Sequence, residues 1–297
     1  MVSKKDKKNA KLNIGGMAVI EGVMIKSENY YACAVQKQDK TISVKTEKIK
    51  TFFSKNKIFK KPFLRGIGQL LDMLILGIKT LSYSANESVG EKTDEKLSYW
   101  EIFFTIAFAF GFAILLFILL PLWLSGFIVK SNGILFNLID GLLRLGIFLI
   151  YLLIISQLSD VKRVFQYHGA EHKAVHCYEH GLPLTVKNIK KFSTLHARCG
   201  TSFVMIVLLI SVIVFSLITT EIFLLKMLLR ILLMPIIAGL SYELLRFEAK
   251  HDKNKILKPL IYPGLLFQKI TTKEPDDKQI EVAIKSVNAV LKAELKN

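Results

Sequence analysis

The chain has 297 residues, 52% of them hydrophobic, and 41 Lys and Arg against 24 Asp and Glu give it a formal net charge of +17. Its apolar residues gather in runs near the ~20 residues needed to span a bilayer, which excludes an ordinary soluble chain and marks an integral membrane protein. Three irregularly spaced cysteines make no disulfide scaffold, and scattered lysines with few aromatic neighbours argue against specific DNA binding.

Residues 1–11 read as a disordered basic lead, without the apolar core of a cleavable signal peptide. Residues 12–60 read as a small strand-rich unit, with strands expected over 17–25, 30–36 and 41–47. Glu21 is unusual inside the first of these. It either faces solvent by alternation or faces a site elsewhere as a base or ligand. Residues 61–90 follow, where Leu70, Leu71, Leu74, Ile78 and Leu81 recur at helical spacing, interrupted by Arg65, Asp72 and Lys79. An amphipathic, interfacial helix fits that pattern, with a re-entrant segment as the runner-up.

Four apolar runs, 103–124, 133–155, 203–218 and 222–240, make a four-span membrane domain over 101–240. Lys and Arg number 19 before the first span, seven between the second and third, and 11 after the fourth. The positive-inside rule then puts both termini and the loop at 157–202 in the cytoplasm. Asp140 and Arg144 lie one turn apart in the second span, and Arg230 lies in the fourth. In this topology Asp140 and Arg230 each sit about 12 Å below the outer surface. Ionised groups at such depth need partners, so an Asp140–Arg230 contact is expected, with Arg144 close by, as a structural clamp.

The loop at 157–202 holds five of the six histidines and two of the three cysteines. His168, His172 and His176 follow at four-residue intervals, with His180 extending the row, so a helix would aim neighbouring imidazoles at one point. Gly181 and Pro183 would end that helix. His196-Ala197-Arg198-Cys199 lies further on. Imidazole nitrogen and thiolate sulfur together form tetrahedral zinc sites. We therefore take His168, His172, His196 and Cys199 as candidate ligands of a divalent metal, zinc first and iron second, with His176 in reserve. Glu171, in the string His168-Gly169-Ala170-Glu171-His172, is the candidate base acting on water, and Glu243 or Glu248 could supply a further carboxylate ligand. Arg198 beside Cys199 would favour its thiolate, and Thr201 or Ser202 would cap the next helix. The bland reading is a helix with solvated histidines and an ordinary turn.

Residues 241–297 form a cytoplasmic tail. Pro275 breaks any preceding helix, Asp276 and Asp277 can cap the next, and Ile280, Ala283, Val287, Val290 and Leu291 form its apolar face.

At several of these strings the chain resembles the YqhQ-like family of bacterial multi-pass membrane proteins, a domain of unknown function described as predicted metal-dependent enzymes. The resemblance rests on Gly15-Gly16-Met17-Ala18-Val19-Ile20-Glu21-Gly22-Val23-Met24, on Pro62-Phe63-Leu64-Arg65-Gly66 and on Tyr167-His168-Gly169-Ala170-Glu171-His172. It continues in His196-Ala197-Arg198-Cys199-Gly200-Thr201-Ser202 and in Gln268, Thr271, Thr272, Glu274 and Pro275. Met17 stands where that family usually has Gln, Ala197 where it has Pro, and Lys26-Ser27-Glu28 where it has Arg-Gly-Pro. The resemblance implies a bacterial cell membrane location.

The leading expectation is a mainly α membrane protein that is a metal-dependent, membrane-embedded enzyme of hydrolytic type. A second is a non-catalytic scaffold whose basic face docks on the ribosome, an export complex or anionic lipid, with a structural metal clip. The third is a transporter built on the intramembrane charges.

Overall fold

The computed structural model describes residues 12–89, 99–130, 133–196, 199–250 and 258–296; the basic lead at 1–11, Arg198 and the side chain of Glu248 lie outside the described residues. Strands β1 (Gly15–Val19), β2 (Gly22–Lys26), β3 (Tyr30–Gln36) and β4 (Ile42–Lys48) form an antiparallel meander in that order. The single strand expected over 17–25 is in fact a hairpin. The chain reverses at Ile20-Glu21, with Glu21 at φ 51°, and Val19 pairs with Gly22. The turn is hard to read in the sequence because β2 and β3 are covered on both faces, so no polar alternation marks where β1 stops.

Period-two geometry divides the sheet's side chains between two layers. Val23, Ile25, Ala32 and Ala34 pack against helices α5 (Ser159–Glu179) and α10 (Asp277–Leu295). Met24, Tyr31, Cys33 and Val35 face the other way, onto Leu76, Met73 and Tyr83 of α1 (Leu64–Val89). Helix α10 starts with a capping box between Asp276 and Gln279. At its other end the Glu294 carboxylate accepts hydrogen bonds from Ser27 Oγ (2.7 Å) and the Asn29 amide (2.8 Å), tying the tail to the β2–β3 turn.

The protein is mainly helical, and three helices among the described residues are long and apolar enough to cross a membrane. The first is continuous over Phe103–Ile128, running through α2 (Tyr99–Ile114), a widened π turn (Leu115–Leu119) and α3 (Leu120–Ile128). Pro121 explains the turn: it has no N–H to give back and its ring crowds the preceding carbonyls. The others are α4 (Ile134–Ile155) and the apolar part of α8 (Phe223–Lys250). Past the one-turn α6 (Val186–Ile189), helix α7 (Thr201–Ser216) is apolar but has 16 residues, about 24 Å against the ~30 Å of a hydrocarbon core. The sequence reading extended this segment to 218. The helix stops earlier because Asn137 Nδ2 donates to the carbonyls of Ser216 (3.4 Å) and Ile218 (3.3 Å), satisfying its end from α4.

Asp140, Arg144 and Arg230 are buried between α4, α7 and α8. Asp140 Oδ1 accepts from Arg230 at 2.7 Å and Oδ2 from Arg144 at 2.8 Å. Both guanidiniums lie over the Phe215 ring, 4.6 and 5.2 Å from its centroid. Arg144 also reaches Ser211 (3.3 Å) and Arg230 reaches Asn137 (3.3 Å). The contact expected from depth alone joins α4 to α8.

Candidate metal centre

Helix α5 carries the site on its inner face, and both of its flanks hold it in place. It ends as Gly181 takes φ 71°. Leu182 N–H donates to Cys177 O and Gly181 N–H to Tyr178 O, the double bond of a Schellman cap. Gly169 lets a second backbone come close: a Cβ there would run into the Lys273 carbonyl and Thr194. Lys273 N–H in turn donates to Phe165 O (2.9 Å). The segment after α9 (Lys258–Thr271) is thereby laid along α5.

Two rings are locked by carbonyls from different segments. His168 Nδ1 contacts Thr271 O at 2.9 Å, and His172 Nδ1 contacts Thr194 O. A carbonyl can only accept, so each Nδ1 carries the proton and each Nε2 is left with a lone pair. His168 Nε2 lies 3.3 Å from Cys199 Sγ. One ligand atom each from His168, His172 and Cys199 falls within 4.8 Å of the others, a group able to hold a metal ion. A metal-bound histidine usually donates its other ring N–H to a carbonyl or carboxylate, which fixes the direction of the binding nitrogen.

Glu171 lies beside this group, 4% exposed, with Oε2 3.5 Å from His172 Nε2. Burial pushes its carboxyl up to about 8, against which the Gly16 amide bond works. Gly16 is required for that approach: a Cβ would come 3.2 Å from Glu171 Cγ and clash with β2. Burial lowers His168 and takes His172 down to about 2, with neighbouring imidazoles adding to the second shift. Cys199 departs from expectation. Its thiol is raised to about 11 by burial, so the thiolate is not favoured in the metal-free protein and would form as a cation displaces the proton. Nor does Thr201 or Ser202 cap α7 with its side chain. Thr201 N–H donates to Cys199 Sγ (3.4 Å) and Ser202 Oγ accepts from Gln268 (3.4 Å).

Glu171, His172, His196 and Cys199 share one cavity of about 90 Å3 with Ile14, Gly15 and Gly16. His196 nevertheless groups with His176 and Glu179, not with the first three. Its ring is 5.7 Å from that of His172 and 4.4 Å from that of His176. His180 turns its Nδ1 to His176 O (2.8 Å) and belongs to neither group. Glu21 is a correction: it stands in the hairpin turn, outside the cavity, paired through both oxygens with Arg163 on α5. Glu243 is paired with Arg65 of α1 and belongs to neither group.

Sequence reasoning missed two residues. Glu179 follows His176 by three, a spacing that shares a helix face. Gln268, fully buried, grips the His196 backbone from both sides: Oε1 accepts from its N–H (2.8 Å) and Nε2 donates to its carbonyl (2.9 Å).

The model of the family described as protein of unknown function (DUF1385) matches residues 61–293. Over 298 aligned residues the chain is 36% identical to "Uncharacterized protein YqhQ" of Bacillus subtilis (strain 168), covering 94% of this chain and 92% of that protein. The chain belongs to this YqhQ-like family. The matched region contains every histidine and cysteine of both groups, and neither description names a reaction. No solved structure matches the chain.

Proposed function

We propose that this protein is a metal-dependent enzyme of the bacterial cell membrane, hydrolytic in chemistry, with its site on the cytoplasmic side. One observation carries the reading: two imidazoles and a thiol from separate segments converge within 4.8 Å, each imidazole with its Nδ1 held by a carbonyl. A divalent ion, zinc first, would supply Lewis acidity there and lower the pKa of a water. His168, His172 and Cys199 would hold it, the thiol giving up its proton to do so. Glu171 is the proton carrier. Its Oε2 stands 3.5 Å from His172 Nε2, placed to take a proton from a water held there and to return it.

Four spans with both termini in the cytoplasm fit the distribution of Lys and Arg. Helix α7, short for a span, would be the third, with local bilayer thinning covering its deficit. A reporter phosphatase that needs an oxidising compartment, fused after Asn297, is then inactive.

The second reading is a scaffold with a structural zinc clip, its basic face meeting anionic lipid, the ribosome or an export complex. The small cavity, about 90 Å3, favours it. Cobalt-loaded full-length protein in detergent separates the two. An enzyme's open position takes azide, and the visible cobalt spectrum shifts. A closed four-ligand clip leaves the spectrum unmoved, and that result overturns the catalytic reading.

A further inference from the structure

We propose that His176, Glu179 and His196 form a second divalent-metal site on α5, separate from the His168, His172 and Cys199 group. One ligand atom from each of the three lies within 4.8 Å of the others. His176 and Glu179 are three apart, so both project from one face of the last turns of α5. His196 arrives from the far side of the loop. Its Nε2 stands 3.3 Å from Glu179 Oε2, and its ring centroid 4.4 Å from that of His176.

Two features make this more than a histidine paired with a glutamate. His176 Nε2 contacts the Leu195 carbonyl at 2.9 Å, so that nitrogen is the donor and Nδ1 carries the lone pair. This repeats, with the nitrogens exchanged, the carbonyl lock found on His168 and His172. The His196 backbone is clamped on both sides by the buried Gln268 amide, so the loop half of the set is rigid before any ion binds. Preorganisation of both histidines is what a casual ion pair lacks.

The donor set fixes the class of ion. Two imidazoles and one carboxylate suit zinc or iron(II) and leave further coordination positions open. No thiol takes part, so the two sites differ in a way spectroscopy can see. The two sets share no residue, and their nearest rings, His172 and His196, stand 5.7 Å apart, beyond the ~3.5–4 Å between the metals of a bridged two-metal centre. Each set therefore takes its own ion.

The test is a cobalt(II) titration of chelator-stripped, full-length protein in detergent, with helix content checked by circular dichroism. Wild type is expected to bind two equivalents, one of them giving a sulfur-to-cobalt charge-transfer band. Glu179→Ala and, separately, His176→Ala are expected to lose one equivalent and keep that band. Cys199→Ser loses the band and keeps one equivalent. A single equivalent in wild type that carries the sulfur-to-cobalt band, or an unchanged count in Glu179→Ala, overturns the second site. A wild type with one sulfur-free equivalent that Glu179→Ala removes overturns the first site and keeps the second, so the two readings fail separately.

Discussion

The molecule buries two polar clusters, and they are satisfied in opposite ways. In the membrane layer Asp140 gives one oxygen to Arg230 and the other to Arg144, while Asn137, Ser211 and the Phe215 ring take up much of the rest. On α5, by contrast, each imidazole of the first group has one nitrogen fixed by a carbonyl and the other aimed at the remaining members. A cluster whose carboxylate is fully consumed by internal pairing is a fastening. A cluster whose donors are oriented but left with lone pairs is built to take something in. Two polar clusters thus do different work according to what remains unspent.

The contrast predicts a ranked set of effects. Asp140→Ala strands two guanidiniums in the bundle and is expected to cost about 3–5 kcal/mol, enough to abolish the folded protein in detergent. A thermal-unfolding midpoint within a few degrees of wild type would show that the knot is not the fastening. His172→Ala comes next. It leaves a folded protein that no longer retains the thiol-containing equivalent of metal, read by elemental analysis after gel filtration. Gln268→Leu removes no ligand but frees the His196 backbone, and is expected to weaken metal binding about 10–100-fold, as loss of an outer support does. Equal affinity would reduce Gln268 to packing.

The smallest effect is on the pH dependence of the metal-free protein. Unfolded, Glu171 releases its proton near 4.5; folded, it keeps it to about 8. Between those values the native state binds more protons, so this residue makes stability fall as pH rises. His172 acts in the other direction. Its folded value of about 2 lies below the ordinary 6.5, so its contribution is present above 6.5 and is lost as pH falls toward 2. Glu171→Gln should flatten the loss between 4.5 and 8 while leaving the acid limb in place, seen as a Tm gain of several degrees at pH 8. No gain there would mean that Glu171 is not held protonated.

Much of this was legible in the residues. The four-residue rhythm of His168, His172 and His176 placed the helix and its inner face, Gly181 marked its end, and depth alone paired Asp140 with Arg230. Other features were hidden for physical reasons. A central strand covered on both faces carries no alternation, so β1 and β2 read as one. Whether Glu21 faced solvent or a site stayed open in the sequence because the hairpin turn that pairs it with Arg163 was invisible. The division of the histidines into two groups depends on where the loop through Thr194, Leu195 and His196 crosses α5. That crossing is set by Gln268 and Thr271, some 70 residues further on (Gln268 is 72 residues from His196), and no local pattern announces it. The thiol of Cys199 looked activated from its neighbour Arg198, while its burial, a tertiary property, dominates.

X-ray absorption at the zinc edge of zinc-loaded, full-length protein tests the central claim most directly. A mixed set of nitrogen or oxygen and sulfur neighbours is expected, with a sulfur shell near ~2.3 Å that disappears in Cys199→Ser while the nitrogen shell remains. A zinc environment without sulfur in wild type, or protein that retains no zinc at all, would contradict the convergence of His168, His172 and Cys199 on one ion.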